Sequence, residues 1–538
     1  PAASLRMAAV RRGETVDGSM IGGSRERMCA RPAVSAAVAD PRRQARGRVA
    51  GRRRDRRPAA GVAREGDNAA PTLAQRGMRR AAPRRGGRPL AASPSPTLLS
   101  VKPADIIVVG GGVVGLYAAL AFLRSPSRPS VTLLEADKAP AGVGAAAGMA
   151  RATGAGQGYL WLAHRNPAPS PLWSLAAASR SLWADDVAAG AWEGAELAAR
   201  GSLLLAPHAS GAAECAAKAA ALVEAGIHAD ALDASSTATL EPALTRLPTG
   251  GGALRVSSDA QIDGRGACDA LLAACVAEGG SRFSLYCGRP VAAISYDGDR
   301  RAVGAELADG SVAAAAVAVV LATGAWTSSL LGPEWAAVFA PRKGHLVDLP
   351  LPLGAPRLLS HGAMEADYAG HYGGEVSGCD GAFARGDAAA RAGVVFTAAR
   401  AGRGGARRLL IGSSRDDAAG FDPSIDPSAV ALILERARLF LPALPDASAA
   451  TVRVGLRPAC AAGVPAVGAV PGAEGLFVAA GHEGSGLLLA PATARLLVRA
   501  VLKEEGGGRD AAIHAAADAV SPQRVLEAVE KRRKEETV

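Results

Sequence analysis

One short stretch of the sequence restricts the fold more than any other. Residues 104–109 are apolar and mostly β-branched, a glycine-rich turn follows at 110–115, and residues 116–123 have the apolar spacing of a helix. A second apolar run at 131–134 ends at Glu135. This order predicts a strand, a glycine turn, a helix and a second strand, which is the arrangement that binds a dinucleotide.

The residues of this segment have separate predicted roles. Gly110 allows the tight turn, Gly112 lets a pyrophosphate approach the helix N-terminus, and Gly115 lets the helix pack closely on the strand. Glu135 is placed to accept hydrogen bonds from both ribose hydroxyls, which favours FAD or NAD over NADP because an acid repels a 2′-phosphate. The alternative is that Glu135 is an ordinary surface residue at the end of a strand.

The remainder of the chain departs from the usual pattern of an NAD dehydrogenase. Instead of further β-α units it shows a predicted β meander over 291–310 and then a strand that runs into Ala322-Thr323-Gly324. Near the C-terminal end we predict a strand at 475–480, a turn at 481–486 and an apolar helix over 487–502. The N-terminus of that helix would stabilise negative charge on a bound group.

Five motifs in a fixed order resemble those of one family. They are the G-G-G-x-V-G turn, Glu135 at a strand end, A-T-G at 322–324, G-L-R-P at 455–458, and G-H-x-x-x-G at 481–486 followed by L-L-L-A-P-A-T. Together they resemble the glycine oxidase and D-amino-acid oxidase superfamily of FAD-dependent amine oxidoreductases, over nearly all of residues 104–502. The stretch at 152–159 is most similar to versions from plants and algae.

The resemblance implies an α/β fold, in which a Rossmann-like FAD-binding domain carries an inserted substrate-binding domain built on a mixed or antiparallel β-sheet. The order of the motifs places the FAD-binding domain at 104–200, 253–335 and 453–505, the substrate-binding domain at 201–252 and 336–452, and a charged tail at 506–538. The residues that it implies as FAD contacts are Gly110, Gly112, Val113, Val114, Gly115, Glu135, Ala136, Thr153, Gly154, Gly156, Gln157, Val291, Ala322, Thr323, Gly324, Gly481, His482, Gly484, Ser485, Gly486 and Leu487.

The resemblance also implies a reaction. The α C–H of a small amino acid or N-substituted amine is delivered as hydride to flavin N5, and the imine is released for hydrolysis. FAD performs the redox step, so the protein mainly positions the C–H bond and the substrate carboxylate, and no acid–base residue is required if the amine arrives neutral.

Arg457 of the G-L-R-P motif is the predicted substrate ligand, because a guanidinium holds a carboxylate through two parallel hydrogen bonds. The structural alternative is an arginine that pairs with a buried acid or caps a carbonyl. Gly484 stands where glycine oxidases can carry a second carboxylate-binding arginine. That difference argues against glycine itself as the substrate.

Three further side chains are secondary candidates. Tyr368 lies in a loop of the predicted substrate domain, where its hydroxyl either bonds a carboxylate or packs on the surface. His164 follows the glycine-rich flavin stretch and either faces the flavin or is a satisfied structural histidine. Lys343 is a catalytic candidate for a position near flavin N5, where it would favour reaction with oxygen.

Charge is divided unevenly along the chain. Residues 1–100 contain 22 arginines, no lysine and 7 acidic residues, a charge of +15, whereas the rest has 39 basic and 43 acidic residues, or −4. An Arg-rich, acid-poor leader is typical of an organelle transit peptide, with the chloroplast favoured over the mitochondrion. A disordered tail, mistranslated upstream sequence and a nucleic-acid-binding arm are the alternatives. The mildly acidic body argues against nucleic-acid binding by the folded part.

Cysteine use and hydropathy exclude other classes of protein. The seven cysteines form no C-x-x-C pair and are odd in number, so neither a zinc site nor a disulfide framework is indicated. No uninterrupted apolar run reaches the ~20 residues that a membrane-spanning helix needs. We therefore expect a globular flavoprotein of two domains with reduced, mostly buried thiols.

Three functions fit these observations. The first is an FAD-dependent amine or amino-acid oxidase, and the second is a related dehydrogenase that passes electrons to a quinone or a carrier protein. These two differ only in how oxygen meets the reduced flavin. The third is a non-catalytic flavoprotein that serves as an assembly factor for an organelle complex, which the loss of the second arginine at Gly484 leaves open.

Overall fold

The computed structural model describes residues 101–138, 151–190, 195, 197–352, 359–366, 396–401, 407–505 and 510–537. The predicted leader at 1–100 and the candidate Tyr368 lie outside these residues. The strands are β1 (Ala104–Val109), β2 (Val131–Glu135), β3 (Tyr159–Leu160), β4 (Ser202–Ala206), β5 (Ala229–Asp233), β6 (Gly252–Val256), β7 (Ala260–Gln261), β8 (Phe283–Cys287), β9 (Val291–Tyr296), β10 (Ala302–Leu307), β11 (Val312–Leu321), β12 (Phe339–Pro350), β13 (Gly362–Glu365), β14 (Thr397–Ala401), β15 (Arg408–Gly412), β16 (Thr451–Cys460), β17 (Ala466–Ala469) and β18 (Leu476–Ala480). The helices are α1 (Val113–Arg124), α2 (Ala152–Ala155), α3 (Pro171–Ala188), α4 (Ala209–Glu224), α5 (Ala234–Leu240), α6 (Gly264–Gly279), α7 (Pro427–Phe440), α8 (Gly486–Leu502), α9 (Ala511–Ala515) and α10 (Pro522–Thr537).

The predicted strand, turn, helix and strand form the centre of the first sheet. Its strands run in the order β17-β18-β11-β1-β2-β8, and β10 and β9 extend it from β11. β1 pairs in parallel with both β2 and β11. The carboxyl ends of β1 and β2 therefore lie at the same edge of the sheet, which is the edge where open α/β sheets bind ligands.

The central strand β1 is buried on both faces. Ile106 and Val108 belong to the core that α1, α6 and α8 form on one side, and Ile107 and Val109 belong to the core on the other side. Successive side chains of a strand point to opposite faces, so a strand covered on both faces needs an apolar residue at nearly every position. This burial explains the uninterrupted apolar run in the sequence.

The second sheet has eight strands in the order β16-β12-β15-β14-β13-β4-β6-β5. Neighbouring strands are antiparallel except for β4 and β13, which are parallel. Helix α7 packs on this sheet, where Ile433 and Phe440 share a core with Val347 and Phe396. The predicted fold class, a Rossmann-like FAD domain with a mixed-sheet substrate domain, is confirmed.

The strand pairing differs from the predicted domain boundaries at two places. β6 and β16 belong to the second sheet, whereas the prediction assigned residues 253–335 and 453–505 to the FAD-binding domain. β16 pairs with β12 along its whole length, from Cys460 opposite Phe339 to Thr451 opposite Asp348. Pairing between strands so distant in the chain leaves no local signal in the sequence. The G-L-R-P motif consequently lies in the second sheet.

Helix α8 is held at its first turn by α3. Pro491 lies inside α8 and has no N–H, so the carbonyl of Leu487, four residues earlier, lacks its helical partner. Trp183 of α3 donates its Nε1–H to that carbonyl at 3.1 Å.

The segment Glu483–Leu502 is the one described helical stretch with the length and apolar composition to cross a membrane. In this structure, 67% of its apolar part is buried inside the protein.

Of the described cysteines, Cys268, Cys275, Cys287 and Cys460 are free thiols, and the buried Cys215 lies with its Sγ 3.9 Å from the carbonyl oxygen of Leu204. Cys268 and Cys275 of α6 both face the core, as their spacing of seven residues predicts. Burial raises the pKa of Cys275 to about 12. Within the described ranges, no group of three metal-ligating side chains is found.

Candidate functional site

A cavity extends from the carboxyl ends of β1 and β2 to the strands β12 and β16 of the second sheet. Nearly all of the predicted FAD contacts line it. Four of them do not, namely Gly115, Gly154, Gly481 and Ser485, and these lie directly beside residues that do. The sequence motifs therefore converge on one site.

The first end of the cavity is formed by the glycine turn and Glu135. Gly110 has a φ of +109°, and a β-carbon there would overlap the carbonyl of Ala322, so the turn requires glycine. The carboxylate of Glu135 is buried and accepts hydrogen bonds from the N–H of Gly111 at 2.6 Å and of Asp137 at 2.8 Å. These bonds fix the carboxylate at the position where a ribose would lie against it.

Arg151 also lies at this end, and sequence reasoning missed it. Its Nε is 2.7 Å from Oδ2 of Asp137, and its guanidinium lies over the ring of Trp326, 4.4 Å from the ring centroid. Arg151 and Trp326 both line the cavity. A guanidinium over an aromatic face gains cation–π attraction, so this pair forms one wall of the cavity.

The middle of the cavity is formed by α1 and α2. The N–H of Val113, in the first turn of α1, lies 3.4 Å from Oγ1 of Thr153 in α2. Gln157 connects this region to the second sheet, because its Oε1 accepts from Thr397 Oγ1 at 2.9 Å and its Nε2 donates to the carbonyl of Leu410 at 3.0 Å. The N-terminus of α1 thus faces the predicted pyrophosphate position.

The far end of the cavity is formed by the turn that precedes α8. Gly486 and Leu487, the first residues of α8, line it. His482 is buried, its Nε2 lies 2.9 Å from Oγ1 of Thr493, and burial lowers its pKa to about 4. The imidazole is therefore neutral at pH 7. Behind the turn, Arg165 donates to Oγ of Ser485.

Arg457 lies at the same end. It is directly opposite Arg342 in the β12–β16 pair, and its guanidinium passes over Gly344 at a position that a β-carbon would occupy. Its Nη1 donates to the carbonyl of Ser414 at 3.1 Å. Within the described part of the chain no carboxylate forms an ion pair with Arg457. The guanidinium can therefore receive a carboxylate from a ligand.

Glu483 is a second group at this end that sequence reasoning missed. Its Oε1 lies 3.3 Å from Nη1 of Arg342 and 3.4 Å from Nη2 of Arg415. Burial raises the pKa of this carboxyl, but the charges of Arg415, Arg457 and Arg342 and the hydrogen bond from Gly484 together hold the pKa below its usual value. Glu483 directly precedes Gly484 in the G-H-x-x-x-G motif, and this position in the motif is the only sequence feature that indicates a place for Glu483 in the site.

Two predicted candidates do not line the cavity. Gly344 and Leu346 of β12 line it, and the side chain of Lys343 lies on the opposite face, since side chains alternate along a strand. Its ammonium is buried and lies 2.9 Å from Oδ2 of Asp422. His164 is buried outside the lining, and burial together with the charge of Arg165 holds its pKa well below the ordinary value.

Comparison with known proteins agrees with this geometry. Residues 105–500 match the family described as DAO, FAD dependent oxidoreductase. The chain belongs to this family. FAD is accordingly its cofactor, and the buried Glu135 and the glycine turn form a cradle that fits the dinucleotide.

Individual relatives match over different lengths. The glycine oxidase of Pseudomonas aeruginosa is 40% identical over 89 residues, which are 16% of this chain and 24% of that protein. The match thus spans about a quarter of the length of that curated relative. The structure of glycine oxidase from Geobacillus kaustophilus is 26% identical with a TM-score of 0.58, over 75% of this chain and 96% of that one. L-proline dehydrogenase from P. horikoshii shares the fold, at 16% identity and a TM-score of 0.61 over 79% of this chain and 99% of that one.

Proposed function

We propose that this flavoprotein oxidises the carbon–nitrogen bond of a small amino acid or N-substituted amine. The observation that carries the proposal is Arg457, a guanidinium at the end of the FAD cradle with no ion-pair partner among the described residues. A guanidinium binds a carboxylate through two parallel, charge-assisted hydrogen bonds. It would therefore orient an α-amino acid with its C–N bond toward the cofactor.

The chain contributes orientation and electrostatics to this reaction. When bound, FAD supplies the acceptor for the hydride and its two electrons. Gly344 leaves the space that the Arg457 guanidinium fills, so the guanidinium lies directly against the backbone of β12. The N-terminus of α8 lines the same end and would stabilise negative charge there.

The site supports binding of the amine in its neutral form. His482 has a pKa of about 4 and is neutral at pH 7, and Glu483 is held ionised by arginines. Lys343 and His164 lie outside the cavity lining. None of these four described groups is placed to act as a base at neutral pH, so substrate binding would select the neutral amine.

The electron acceptor separates the two catalytic readings. An oxidase would reduce oxygen to hydrogen peroxide, and a dehydrogenase would pass electrons to a quinone or a carrier protein. Relatives of both kinds share this fold, including a glycine oxidase and an L-proline dehydrogenase. Peroxide formation during turnover in air is the measurement that distinguishes them.

The test is anaerobic reduction of the bound flavin by glycine, sarcosine, proline and D-amino acids. We expect at least one of them to bleach the flavin. In Arg457→Ala, loss of two hydrogen bonds worth about 1.5–3 kcal/mol each should lower kcat/KM by roughly 10²-fold or more. Arg457→Lys keeps the positive charge but cannot form the two parallel hydrogen bonds of a guanidinium. Arg524→Ala is the control, because it removes an arginine from the exposed face of α10.

Two results would contradict the proposal. Bleaching by the active amine at the wild-type rate in Arg457→Ala would mean that Arg457 does not hold the substrate. No bleaching by any amine, together with purification of the protein as part of a larger complex, would favour an assembly factor. Arg524→Ala should match the wild type in every case.

A further inference from the structure

The substrate end of the cavity contains a carboxylate of the protein itself. Glu483 lines the cavity, and its side chain is 17% exposed. Its backbone φ is +48°, a left-handed conformation that residues with a β-carbon adopt only at a cost. The ion pairs with Arg342 and Arg415 hold the side chain in place despite that cost.

These contacts exclude two simpler roles for Glu483. It is a poor base, because the neighbouring guanidiniums stabilise its ionised form. It is also a poor ligand for an ammonium group, because both of its oxygens are engaged. Oε1 pairs with the two arginines, and Oε2 accepts from the N–H of Gly484 at 2.9 Å.

The arrangement has a consequence for substrate charge. Arg342 and Arg415 both pair with Glu483, which lines the cavity, while Arg457 has no ion-pair partner among the described residues. A ligand with one carboxylate can pair with Arg457. A second ligand carboxylate nearby would meet the negative charge of Glu483, and the two arginines that would otherwise attract it are already paired.

We propose, on the basis of the function proposed above, that Glu483 is a specificity-determining residue that restricts the site to amines with a single carboxylate. It does so by occupying Arg342 and Arg415, which would otherwise hold a second carboxylate of the substrate. Removal of the negative charge of Glu483 would allow the site to bind dicarboxylates.

The test compares ligands that differ by one carboxylate. Sarcosine and iminodiacetate are secondary amines that differ in this way, and acetate and malonate are the corresponding unreactive pair. Flavin reduction is measured with the amines, and perturbation of the flavin absorbance or the heat of binding is measured with the acids. In the wild type we expect acetate to bind more tightly than malonate.

Glu483→Gln keeps the size of the side chain and an oxygen for the Gly484 N–H while removing the charge. We expect it to shift both the iminodiacetate-to-sarcosine ratio of kcat/KM and the malonate-to-acetate ratio of affinities by about tenfold toward the dicarboxylate. Glu483→Asp should return both ratios toward the wild type. Asp417→Asn is the matched control, because Asp417 also pairs with Arg342 but is 66% exposed.

The outcomes separate the two proposals. Ratios within twofold of the wild type in a folded, flavin-containing Glu483→Gln protein would overturn the specificity role. An equal shift in Asp417→Asn would do the same. Tighter binding of malonate than acetate by the wild type would overturn it without any variant. If no amine reduces the wild-type flavin, the proposed function fails, and the acid titrations still decide the role of Glu483.

Discussion

Gly344 offers a direct test of how the site holds its substrate. A β-carbon at this position would overlap Nη1 of Arg457, so Gly344→Ala must displace the guanidinium. To reach ordinary van der Waals separation the group has to move by roughly 1 Å. The position has no left-handed φ, so alanine fits the backbone of β12.

The size of the effect follows from the lost bonds. Displacement should remove at least one of the two charge-assisted hydrogen bonds to a substrate carboxylate, at about 1.5–3 kcal/mol. This corresponds to a decrease in kcat/KM of about 10- to 100-fold. The free energy of unfolding should change by less than about 1 kcal/mol, because the lower entropy of the unfolded chain with alanine offsets part of the cost of displacing the guanidinium.

The assay is flavin reduction by the active amine, with FAD content and urea unfolding measured on the same preparations. Gly298→Ala is the matched control, because no atom outside Gly298 and its two chain neighbours lies within 4 Å of a β-carbon built there. Wild-type kcat/KM and wild-type acetate affinity in Gly344→Ala would refute the placement of Arg457 over this glycine. Loss of FAD from the variant would instead show that the methyl group acts on the cofactor.

Two further predictions concern stability. Trp183→Phe removes the N–H that donates to the Leu487 carbonyl at 3.1 Å. Because the buried carbonyl is then unsatisfied, the free energy of unfolding should fall by about 1–3 kcal/mol. An unchanged midpoint of urea unfolding would show that this hydrogen bond is dispensable. Burial lowers the pKa of His482 from 6.5 to about 4. Between pH 6.5 and pH 4 the unfolded chain therefore binds more protons at His482 than the folded chain does. The free energy of unfolding consequently decreases as the pH falls through this range. When the pH is lowered from 7.5 to 4.5, the free energy of unfolding of His482→Gln should therefore fall less than that of the wild type, by up to about 3 kcal/mol. Urea unfolding at the two pH values measures this difference. Equal decreases in the two proteins would contradict a neutral buried imidazole.

Most of the FAD cradle could be predicted from local sequence. The β1 strand, the glycine turn and α1 are adjacent in the chain, and Gly110 must be glycine because of its φ of +109°. Gly115 and Ser485 were predicted as contacts, but they lie just behind the lining. A motif specifies that a residue is near the cofactor more reliably than it specifies which atoms face the cavity.

The predictions for the substrate end were less complete. Lys343 and Gly344 are adjacent in sequence, yet only Gly344 lines the cavity, because alternate side chains of β12 point to opposite faces. Glu483 pairs with Arg342 and Arg415, which reach it from distant parts of the chain. Neither relation is encoded in a short motif.

The sequence by itself determined the dinucleotide-binding segment and the order of the motifs, and it predicted Arg457 as the substrate ligand. These depend on glycine conformation, strand and helix periodicity, and the chemistry of single side chains. The tertiary structure decided that β16 joins the second sheet, that Arg457 passes over Gly344, and that Glu483 lies against two arginines. The physical reason is that strand pairing and charge pairing act between residues that are close in space and far apart in the chain.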